Sequence, residues 1–564
     1  MKLLYNRFFG EIPQADPSLL PQQNAQRAWN LVLERGTLKP FHKPQFYRKA
    51  SKERDQLTIY RFAPVPGDPE SGWLFSWQQV VDCVPGPVAG NTQHLTYWTG
   101  EDWPRYCDHS IGTGDGVLPN ASYRLGVPTP EFAPHAERFY EEPPEPDDKD
   151  DDEDEEPETD ASLEVDRDYV LTFVHQLGSL QMESAPSPPS RILTIPAEPG
   201  FGVKLTNIAV MPGGPYPAGS KRLYRRIYSG GLTQFALVAE LGANDFSYED
   251  VAQDFEIPGD LLISEHHNEP LEDMHSLGVL TNGIMYGASG NDVCLSEPYL
   301  PHAWSPFARY PLPHDVVGVG QSDSNIVAVT LKNPYIITGF SPSNMSVVEL
   351  NMQQGCLSKR SIVSGLFGCI YASPDGLVII TGGASRTLTD GLITQKQWQA
   401  LNPASMISAV NEDLLIVCFE QKDGTRGSFI LDPNQPEAGI RFSDQYFTAQ
   451  YHDGLLDSLL VYDPQQQGIA LWNEGETLPY TWRSRLNILP VMLCFTAARV
   501  EAKSYKDLTF RMYADDELKH EQTVTDGRMF RMVSGYCART VQVEVTGTDE
   551  VRQVCIAEAP YELE

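Results

Sequence analysis

The sequence predicts an all-β protein: a divergent β-propeller of six or seven blades, with an inserted fibronectin type III-like β-sandwich and a C-terminal β domain. Paired apolar runs that recur from about residue 275 predict the propeller. Short strand-like runs at 167–250 and at 498–547 predict the two other units. The composition agrees, because 44 glycines, 44 prolines and 25 tyrosines are typical of a turn-rich β protein.

The repeat consists of two apolar runs joined by a short polar turn. It occurs as GIMYGAS–GND–VCLSEP, NIVAVTL–KNP–YIITGF, GCIYAS–PDG–LVIITGG, DLLIVCFE–QKDGTRG–SFILDP and LLVYDP–QQQG–IALWNE. The matching positions are 42, 43, 46 and 44 residues apart, at Tyr286, Ala328, Tyr371, Val417 and Val461. A hairpin every ~40–50 residues is typical of a propeller blade, which buries both faces only by stacking on its neighbours.

The five repeats are too few for a comfortable ring, and the N-terminal region supplies further strands. Runs at 57–62 and 73–77 form another hairpin, and runs at 80–84 and 94–100 follow it. We therefore expect N-terminal strands to close a ring of six or seven blades. The alternative is two stacked sheets without radial closure, and spacing alone does not decide between them. The propeller is divergent because the signature of WD40 repeats is missing.

The region between the two propeller portions is predicted to be a β-sandwich. Its strand-like runs follow one another every ~8–12 residues, as immunoglobulin-like modules do. A Cys…Trp…Cys pattern is missing, so the fibronectin type fits better. In the C-terminal unit, 540–546 alternates strictly, which places Val541, Val543 and Val545 on one face of a strand.

These observations divide the chain into six segments. The acidic run EEPPEPDDKDDDEDEEPETD has no apolar residue to bury, so it is predicted to be a disordered linker. It lacks the glycine of an EF-hand turn. We expect residues 1–50 to pack with the C-terminal domain, 51–135 to form the first propeller portion, and 136–166 to be the acidic linker. Residues 167–255 are expected to form the sandwich, 256–480 the main propeller portion, and 481–564 the C-terminal β platform domain.

The charge excludes one class of function. The chain has 76 acidic against 42 basic residues, a net charge of −34. Fourteen of the acids lie in 141–160, opposed only by Lys149, so the rest of the chain still carries −21. Such a surface repels phosphate, which excludes a bulk electrostatic grip on nucleic acid. Adhesion to an anionic membrane is disfavoured for the same reason.

The cysteines and the N-terminus indicate where the chain folds. Nine cysteines are scattered without a CxxC pair, and several lie in apolar runs, as Cys418 does in LLIVCF. We expect buried free thiols in a reducing compartment. The opening MKLLYNRFFG lacks the apolar core of a secretory signal.

The search for chemistry predicts no enzyme, no cofactor and no metal, and no residue receives a catalytic, cofactor-binding or metal-binding role. A GxSxG elbow, a Walker loop and an HExxH helix are all missing. GVGQSD at 318–323 lacks the third glycine of a phosphate loop. His266, His267 and Glu269 could be metal ligands but are expected to be loop residues. Asp375 in SPDG is expected to belong to a PDG hairpin turn, in which proline presets φ and glycine takes a positive φ, rather than to an Asp-box. The dispersed tryptophans are expected to fill cores.

The N-terminal segment FFGEIPQADPSLLPQQNAQRAWNLVLERGTLKPF (8–41) carries the most distinctive pattern. It has a GxxP step, a Leu-Pro pair, an Ala-Gln-x-Ala-x-Asn core and a Gly-x-Leu-x-Pro exit, at Gly10, Pro13, Leu20, Pro21, Ala25, Gln26, Ala28, Asn30, Gly36, Leu38 and Pro40. With YWTGEDWPR, YRLGVPTP, LSEPYLPHAWSP, QWQALNPASM and the C-terminal tail, it resembles propeller-bearing tail nozzle or tail-hub proteins of bacteriophages. These virion proteins are also called packaged-DNA stabilisation or tail tubular proteins. The resemblance covers nearly the whole chain, and 141–160 departs from it.

The resemblance implies a structural protein of the virion, located in the phage tail and assembled in the host bacterial cytoplasm. It implies a homohexameric ring below the portal-adaptor (head-tail connector) protein, which forms the DNA exit channel and retains the genome until ejection. Implied partners are the adaptor, tail fibre or tail needle or spike proteins, and genomic DNA that passes without specific binding; no direct membrane anchor is implied. Two alternatives stay open: a carbohydrate-binding or carbohydrate-active propeller at the tail tip, and a baseplate or tail-tip structural protein of a long-tailed phage.

Overall fold

The computed structural model describes residues 1–33, 36–52, 54–62, 68, 71–88, 94–141, 163–198, 200–229, 232–257 and 259–563. The predicted acidic linker therefore lies mostly outside the described residues. Two short α-helices, α1 (His109–Gly112) and α2 (Gln395–Ala400), lie between strands. One-turn 3-10 helices span Asp254–Glu256, Pro306–Ala308, Lys359–Ser361, Pro403–Ser405, Pro436–Ala438 and Pro560–Leu563. No helix in the described ranges is long and apolar enough to cross a bilayer.

The N-terminal segment contributes strands to distant parts of the fold. These are β1 (Lys2–Tyr5), β2 (Ala25–Trp29), β3 (Leu31–Val32), β4 (Lys39–Pro40) and β5 (Gln45–Lys49). The first two join the C-terminal domain, and β3 and β4 form a short sheet of their own. By contrast, β5 pairs with a strand near residue 470, in the last propeller blade. The prediction that 1–50 packs with the C-terminal domain therefore misses one of its strands.

The first propeller portion forms two sheets. Blade 1 is a hairpin of β6 (Thr58–Phe62) and β7 (Trp73–Trp77). Blade 2 has four antiparallel strands, β8 (Asp82–Pro85), β9 (Thr96–Thr99), β10 (Arg105–Cys107) and β11 (Tyr123–Arg124). Aromatic residues supply most of the buried surface here, and Phe62 stacks on Phe75 with ring centroids 4.6 Å apart.

The inserted sandwich has the predicted class but wider limits. Its strands are β12 (His135–Tyr140), β13 (Glu164–Arg167), β14 (Tyr169–Leu177), β15 (Leu180–Glu183), β16 (Leu193–Pro196), β17 (Phe201–Thr206), β18 (Gly219–Ser229), β19 (Leu232–Gly242) and β20 (Tyr248–Asp250). A four-stranded sheet (β15-β14-β18-β19), a three-stranded sheet (β12-β17-β20) and the pair β13-β16 make it up. The predicted limits of 136–166 and 167–255 are wrong, because β12 and β13 belong to the sandwich. Both strands flank the acidic run, and β12 buries only Ala136, so their sequence resembles linker.

The main propeller portion forms blades 3 to 7, each with four strands. Blade 3 contains β21 (His275–Val279), β22 (Met285–Ser289), β23 (Asp292–Leu295) and β24 (Arg309–Pro311), and blade 4 contains β25 (Val316–Ser322), β26 (Asn325–Thr330), β27 (Pro334–Thr338) and β28 (Ser346–Glu349). Blade 5 contains β29 (Val363–Gly365), β30 (Gly368–Ala372), β31 (Leu377–Thr381) and β32 (Ala384–Thr387), and blade 6 contains β33 (Ile407–Asn411), β34 (Leu414–Glu420), β35 (Arg426–Leu431) and β36 (Arg441–Ser443). Blade 7 contains β37 (Gln450–Asp453), β38 (Ser458–Asp463) and β39 (Gly468–Leu471), and β5 is its fourth strand.

A closed ring of seven blades follows from the buried clusters between neighbouring sheets. Each consecutive pair of blades shares one apolar cluster, from blades 2 and 3 to blades 6 and 7. Ile59 and Leu74 of blade 1 pack with Leu460 of blade 7. Phe75 of blade 1 packs with Trp98 of blade 2, which closes the circle. Radial closure is confirmed, and stacked sheets without closure are excluded. The first strand of each blade is innermost, because first strands contact one another around the ring.

The C-terminal platform is built from strands β40 (Tyr480–Ser484), β41 (Asn487–Leu493), β42 (Ala497–Ala502), β43 (Leu508–Ala514), β44 (Glu517–Thr523), β45 (Phe530–Arg531), β46 (Ala538–Gly547) and β47 (Val551–Ala557). One sheet has the order β1-β47-β42-β45. The other contains β40, β46, β43 and β44, with β41 beside β46. Val541, Val543 and Val545 share the buried face, as their alternation predicts.

The propeller and the platform share one continuous sheet through β2. On one side β2 pairs in parallel with β36 of blade 6, and on the other it pairs antiparallel with β40. Ala25 and Ala28 are fully buried here, and Trp482 packs edge-to-face on Phe8. Because the connection consists of backbone hydrogen bonds and a shared core, the two units are held in one orientation.

Glu11 lies at this connection, and its ionisation is expected to oppose folding. Its Oε1 accepts the N–H of Ala28 at 2.6 Å, and its backbone exchanges hydrogen bonds with Ile440. Burial raises the pKa of Glu11 from 4.5 to about 7. The native state therefore keeps a proton that the unfolded state loses, so stability falls as pH rises from about 4.5 to about 7. Glu11→Gln keeps the acceptor and is expected to add about 1–3 kcal/mol at pH 8 and almost nothing at pH 4.5.

Thermal unfolding at both pH values checks this prediction. The control is Asp423→Asn, which changes an exposed carboxylate in a turn of blade 6. An equal gain from Glu11→Gln at pH 4.5 and pH 8 would contradict the burial argument.

The cysteines and tryptophans lie where the sequence places them. All nine cysteines are free thiols, and the six at 107, 294, 356, 369, 418 and 555 are buried. Trp77, Trp98, Trp304, Trp398 and Trp482 are among the largest fully buried side chains. The tryptophans thus pack cores, and the buried thiols are inert, because burial raises the pKa of Cys418 to about 12.

Candidate functional site

One end of the propeller axis, where the first strands begin, is tied together by polar contacts. Oδ2 of Asp82, the first residue of β8, accepts a hydrogen bond from Nζ of Lys359 at 2.6 Å. The same oxygen accepts the backbone N–H of Ser276 in β21, also at 2.6 Å. Lys359 precedes β29, so these contacts connect blades 2, 3 and 5. We call Asp82, Ser276, Lys359 and Arg360 the axial bridge.

Arg360 extends the axial bridge across the ring. Its guanidinium donates to the carbonyl of Leu57, just before β6, at 3.0 Å, and to the carbonyl of Thr448, just before β37. Burial lowers the pKa of this guanidinium. The axial bridge therefore connects the beginnings of the first strands of five blades and lies on the propeller axis at this end. Its carboxylate is neutralised by a lysine, which is a structural arrangement rather than an acid–base pair.

Two glycines allow the inner strands to converge near the bridge. A Cβ on Gly318 would lie 2.4 Å from Cδ1 of Ile362, and one on Gly320 would lie 2.5 Å from Sγ of Cys369. Both belong to GVGQSD, whose first five residues lie in the inner strand β25. The segment is therefore a strand that approaches blade 5 closely, and its glycines serve packing rather than phosphate binding.

The opposite end of the axis contains an open cavity of about 510 Å³, which we call the axial pocket. It lies where β29, β33 and β37 end. Phe367 and Tyr451 supply aromatic surface, and Glu412, Asp413 and Asp457 supply carboxylates. Leu366, at the tip of the turn between β29 and β30, is fully exposed beside it.

The axial pocket selects against anions. Lysine and arginine are missing from its lining, and its three carboxylates form no ion pair with any described residue. Burial, with Asp453 nearby, raises the pKa of Tyr451 to about 12, so the phenol stays protonated and can donate. Carboxylates and amides beside aromatic rings form a polar cavity with apolar walls, as small-ligand sites do.

The residues that carry the tail-protein resemblance have structural positions. Ala25, Ala28 and Leu38 are fully buried in the platform core. A Cβ on Gly10 would lie 2.6 Å from the carbonyl oxygen of Ile440, so this position needs glycine for close approach. Gly36 lines a second cavity, of about 420 Å³, between the N-terminal segment and blade 6.

The candidate metal ligands do not come together. His266 and His267 lie in a loop, as expected; the ring of His266 faces Phe307, whereas His267 faces His302. Glu269 instead accepts the hydroxyl of Tyr216 at 2.8 Å and lies 3.4 Å from Nε of Arg124. Among the described residues, no group of three histidine, cysteine or acidic side chains is arranged to hold a metal ion.

Asp375 belongs to a hairpin turn, as expected. It lies in the turn between β30 and β31, and its carboxylate accepts side-chain amides of Gln354 and Gln395, each at 2.5 Å. The indole of Trp398 donates to the carbonyl of Ser373 in the same turn at 2.8 Å. The turn thus contacts α2 through the carboxylate of Asp375 and the carbonyl of Ser373.

Removing the carboxylate of the axial bridge is expected to cost more than removing its lysine. Asp82→Ala leaves the Ser276 N–H and the Lys359 ammonium without their acceptor, which costs about 2 kcal/mol. Lys359→Met leaves the Ser276 bond intact and removes an ion pair with partly exposed side chains, which costs less than about 1 kcal/mol. Denaturant unfolding of both variants checks the order; equal losses would contradict the central role of Asp82.

No family model and no curated protein matches the chain. Among solved structures, the BBS1 N-terminal region in complex with ARL6 is similar at TM-score 0.24 and 9% identity, over 51% of this chain and 89% of that one. PorZ of the type-IX secretion system of Porphyromonas gingivalis is similar at TM-score 0.23 and 10% identity, over 83% of this chain and 63% of that one. An exo-β-1,3-galactanase from Phanerochaete chrysosporium is similar at TM-score 0.16 and 8% identity, over 68% of this chain and 95% of that one. The fold is therefore established by the strand pairing of this chain itself.

Proposed function

We propose that this chain is a structural virion protein of a tailed bacteriophage. In this proposal it forms a tail nozzle or hub ring below the portal-adaptor, provides the DNA exit channel and retains the genome until ejection. One observation carries the proposal: the N-terminal segment that resembles these proteins is the segment that connects platform and propeller through β2. A subunit of a pressurised channel needs such a rigid connection between its parts.

The proposed channel lies between copies of the chain rather than along the axis of one propeller. The axial bridge occupies one end of that axis, with Arg360 reaching from blade 5 to blades 1 and 7. A conduit for DNA then requires several copies around a common axis. We propose a homohexamer, in keeping with the resemblance.

The charge of the chain supports a passive role toward DNA. A net charge of −34 gives no bulk attraction to phosphate. Tight phosphate contacts would retard ejection, because each contact must be broken as the duplex moves. In the proposed ring, genomic DNA passes without specific binding, and the protein performs no reaction and needs no cofactor. Its proposed partners are the adaptor and tail fibre, needle or spike proteins.

Electron microscopy of the full-length protein and of labelled virions tests this proposal. We expect six-fold rings of the purified protein and six labels per virion at the portal-proximal tail. Label at the distal baseplate of a long-tailed phage would support the baseplate alternative instead. Label on heads or fibres, or a protein that stays monomeric and is missing from virions, would overturn the proposal.

A second candidate function is carbohydrate binding at a tail tip, and the axial pocket is the observation that favours it. The pocket combines aromatic surface from Phe367 and Tyr451 with carboxylates from Glu412 and Asp457. Sugars present apolar ring faces and hydroxyl donors, which match aromatic rings and carboxylate acceptors respectively.

Binding of wild-type protein to a panel of host surface polysaccharides tests this second candidate. If it is correct, Phe367→Ala weakens binding at least tenfold. The matched control Phe340→Ala removes a phenylalanine that is 93% exposed in blade 4, outside the pocket, and leaves binding unchanged. Absence of binding and of polysaccharide cleavage by the wild type would exclude this function and leave the nozzle proposal untouched.

A further inference from the structure

A short segment, residues 264–272, which we call the strap, is hydrogen-bonded to both the inserted sandwich and blade 3, beside the apolar cluster that these two units share. On the sandwich side, the carbonyl of His267 accepts the N–H of Ala185 at 2.9 Å. On the propeller side, the carbonyl of Asn268 accepts the N–H of Trp304 at 2.9 Å. The strap is therefore hydrogen-bonded to both units at consecutive residues.

Two histidines pack against each other at this contact. His267 of the strap is 8% exposed, and His302 of the blade 3 loop is 3% exposed. Their rings lie edge to face, with centroids 5.6 Å apart and an angle of 85° between the planes. Nδ1 of His267 is buried and has no hydrogen-bond partner. The contact thus buries two imidazoles against each other without satisfying all of their polar atoms.

The charged groups around the pair cannot readily accept two further positive charges. From the sandwich, the backbone and the charge of Glu183 in β15 favour protonation of His267, although burial outweighs them and the pKa of His267 is lowered. The Glu183 carboxylate already accepts bonds from Thr172, Tyr224 and Arg222, at 2.7, 2.7 and 2.8 Å. From the strap, His266 adds a second titratable imidazole. His302 of blade 3 in turn has His267 of the strap as the charged neighbour that acts on it.

We propose that the strap is an acid-sensitive junction, in which protonation of His267 and His302 loosens the sandwich from blade 3. Packed against each other, the two rings are tolerated only as neutral groups, because two buried like charges repel and lose their hydration. Released from the junction, both rings are solvated and ionise freely. The inference does not depend on the role of the protein in a virion.

The pH window follows from the direction of the shifts. Burial lowers the pKa of His302 from 6.5 to about 3 and also lowers the pKa of His267. Below about pH 6.5 the released form therefore binds protons that the packed form does not. Release becomes more favourable as pH falls through this range, whereas the pH dependence that the pair adds fades as pH rises well above 6.5.

Hydrogen exchange of the full-length protein tests the proposal. Exchange at pH 7.0 and pH 5.0 is compared after correction for the intrinsic chemical rate. We expect protection of 264–272 and 296–305 to fall at least tenfold at pH 5.0, as one proton per histidine taken up over that range allows. Protection of β30 and β34, far from the junction, is expected to stay constant.

Variants separate the histidine pair from general acid effects. His267→Asn combined with His302→Asn is expected to reduce the pH-dependent change to less than twofold. The control His135→Asn replaces an exposed histidine of β12 and is expected to keep the full change. Equal pH dependence in the double variant would overturn the proposal. If the double variant does not fold, unchanged wild-type protection between pH 7.0 and pH 5.0, or an unaltered response in His302→Phe alone, would overturn it.

Discussion

Asp250→Ala is expected to destabilise the inserted sandwich by about 3–5 kcal/mol, because it takes the buried carboxylate away from Arg167 and leaves Arg225 only the half-exposed Asp254. Oδ2 of Asp250 lies 2.7 Å from Nη1 of Arg225 and 4.0 Å from Nη1 of Arg167, and these three side chains are at most 1% exposed. The same oxygen accepts the hydroxyl of Tyr169 at 2.7 Å. The Asp250 carboxylate therefore faces the positive charges of two buried guanidinium groups and also accepts a hydrogen bond from a buried phenol.

Asp254 provides a matched control on the same arginine. It lies 2.8 Å from Nη2 of Arg225 but is 47% exposed, so water replaces it when it is removed. Asp254→Ala is expected to cost less than about 1 kcal/mol. Denaturant unfolding followed by hydrogen exchange in β14 and β18 measures both losses. Similar losses for the two variants would show that burial of the Asp250 network is not the cause.

Trp482→Ala is expected to destabilise the platform by about 3–5 kcal/mol and to weaken its connection to the propeller. The side chain is fully buried, with its ring 5.6 Å from that of Tyr5 and 4.9 Å from that of Phe8. Its indole donates to the carbonyl of Phe9 at 3.2 Å. The cavity left behind would open between β40 and the N-terminal segment, which pack on each other here.

Trp482→Phe is the control for this prediction. It loses the indole hydrogen bond but keeps most of the apolar volume, so we expect a loss of about 1–2 kcal/mol. Thermal unfolding monitored by tryptophan fluorescence measures both variants. A loss below about 1 kcal/mol for Trp482→Ala would contradict the view that this side chain organises the contact.

The second and third strands of each repeated blade were predictable from sequence. Runs such as GCIYAS and LVIITGG are buried on both faces, so they read as continuous apolar stretches. All five matched positions, from Tyr286 to Val461, lie on the second strand of a blade. The outer strands were not predictable, because a strand such as β28 is exposed at every residue. The closing strand β5 lies more than 400 residues from its partner, which local pattern does not show.

The axial bridge could not be predicted for a related reason. Asp82 and Lys359 are separated by 277 residues, and neither belongs to a recognisable motif. Only the ring closure brings the starts of their blades together. The adjacent histidines at 266 and 267 were visible in the sequence, but their partner His302 belongs to a loop of blade 3. Metal-ligand spacing was the wrong criterion there, since the relevant neighbour comes from another element.

The shared sheet through β2 and the closing strand β5 have a consequence for biogenesis. Two strands near residue 1 pair with strands that are synthesised more than 400 residues later: Lys2 pairs with Ala557, and Lys49 pairs with Gly468. Contacts between chain ends are slow to form because a long loop must close first. Strands β1 and β5 therefore remain unpaired while most of the propeller is synthesised, with open edges that invite aggregation. Pairing of β1 must wait until β47 has been synthesised, and a truncation before β47 would leave β1 without its partner.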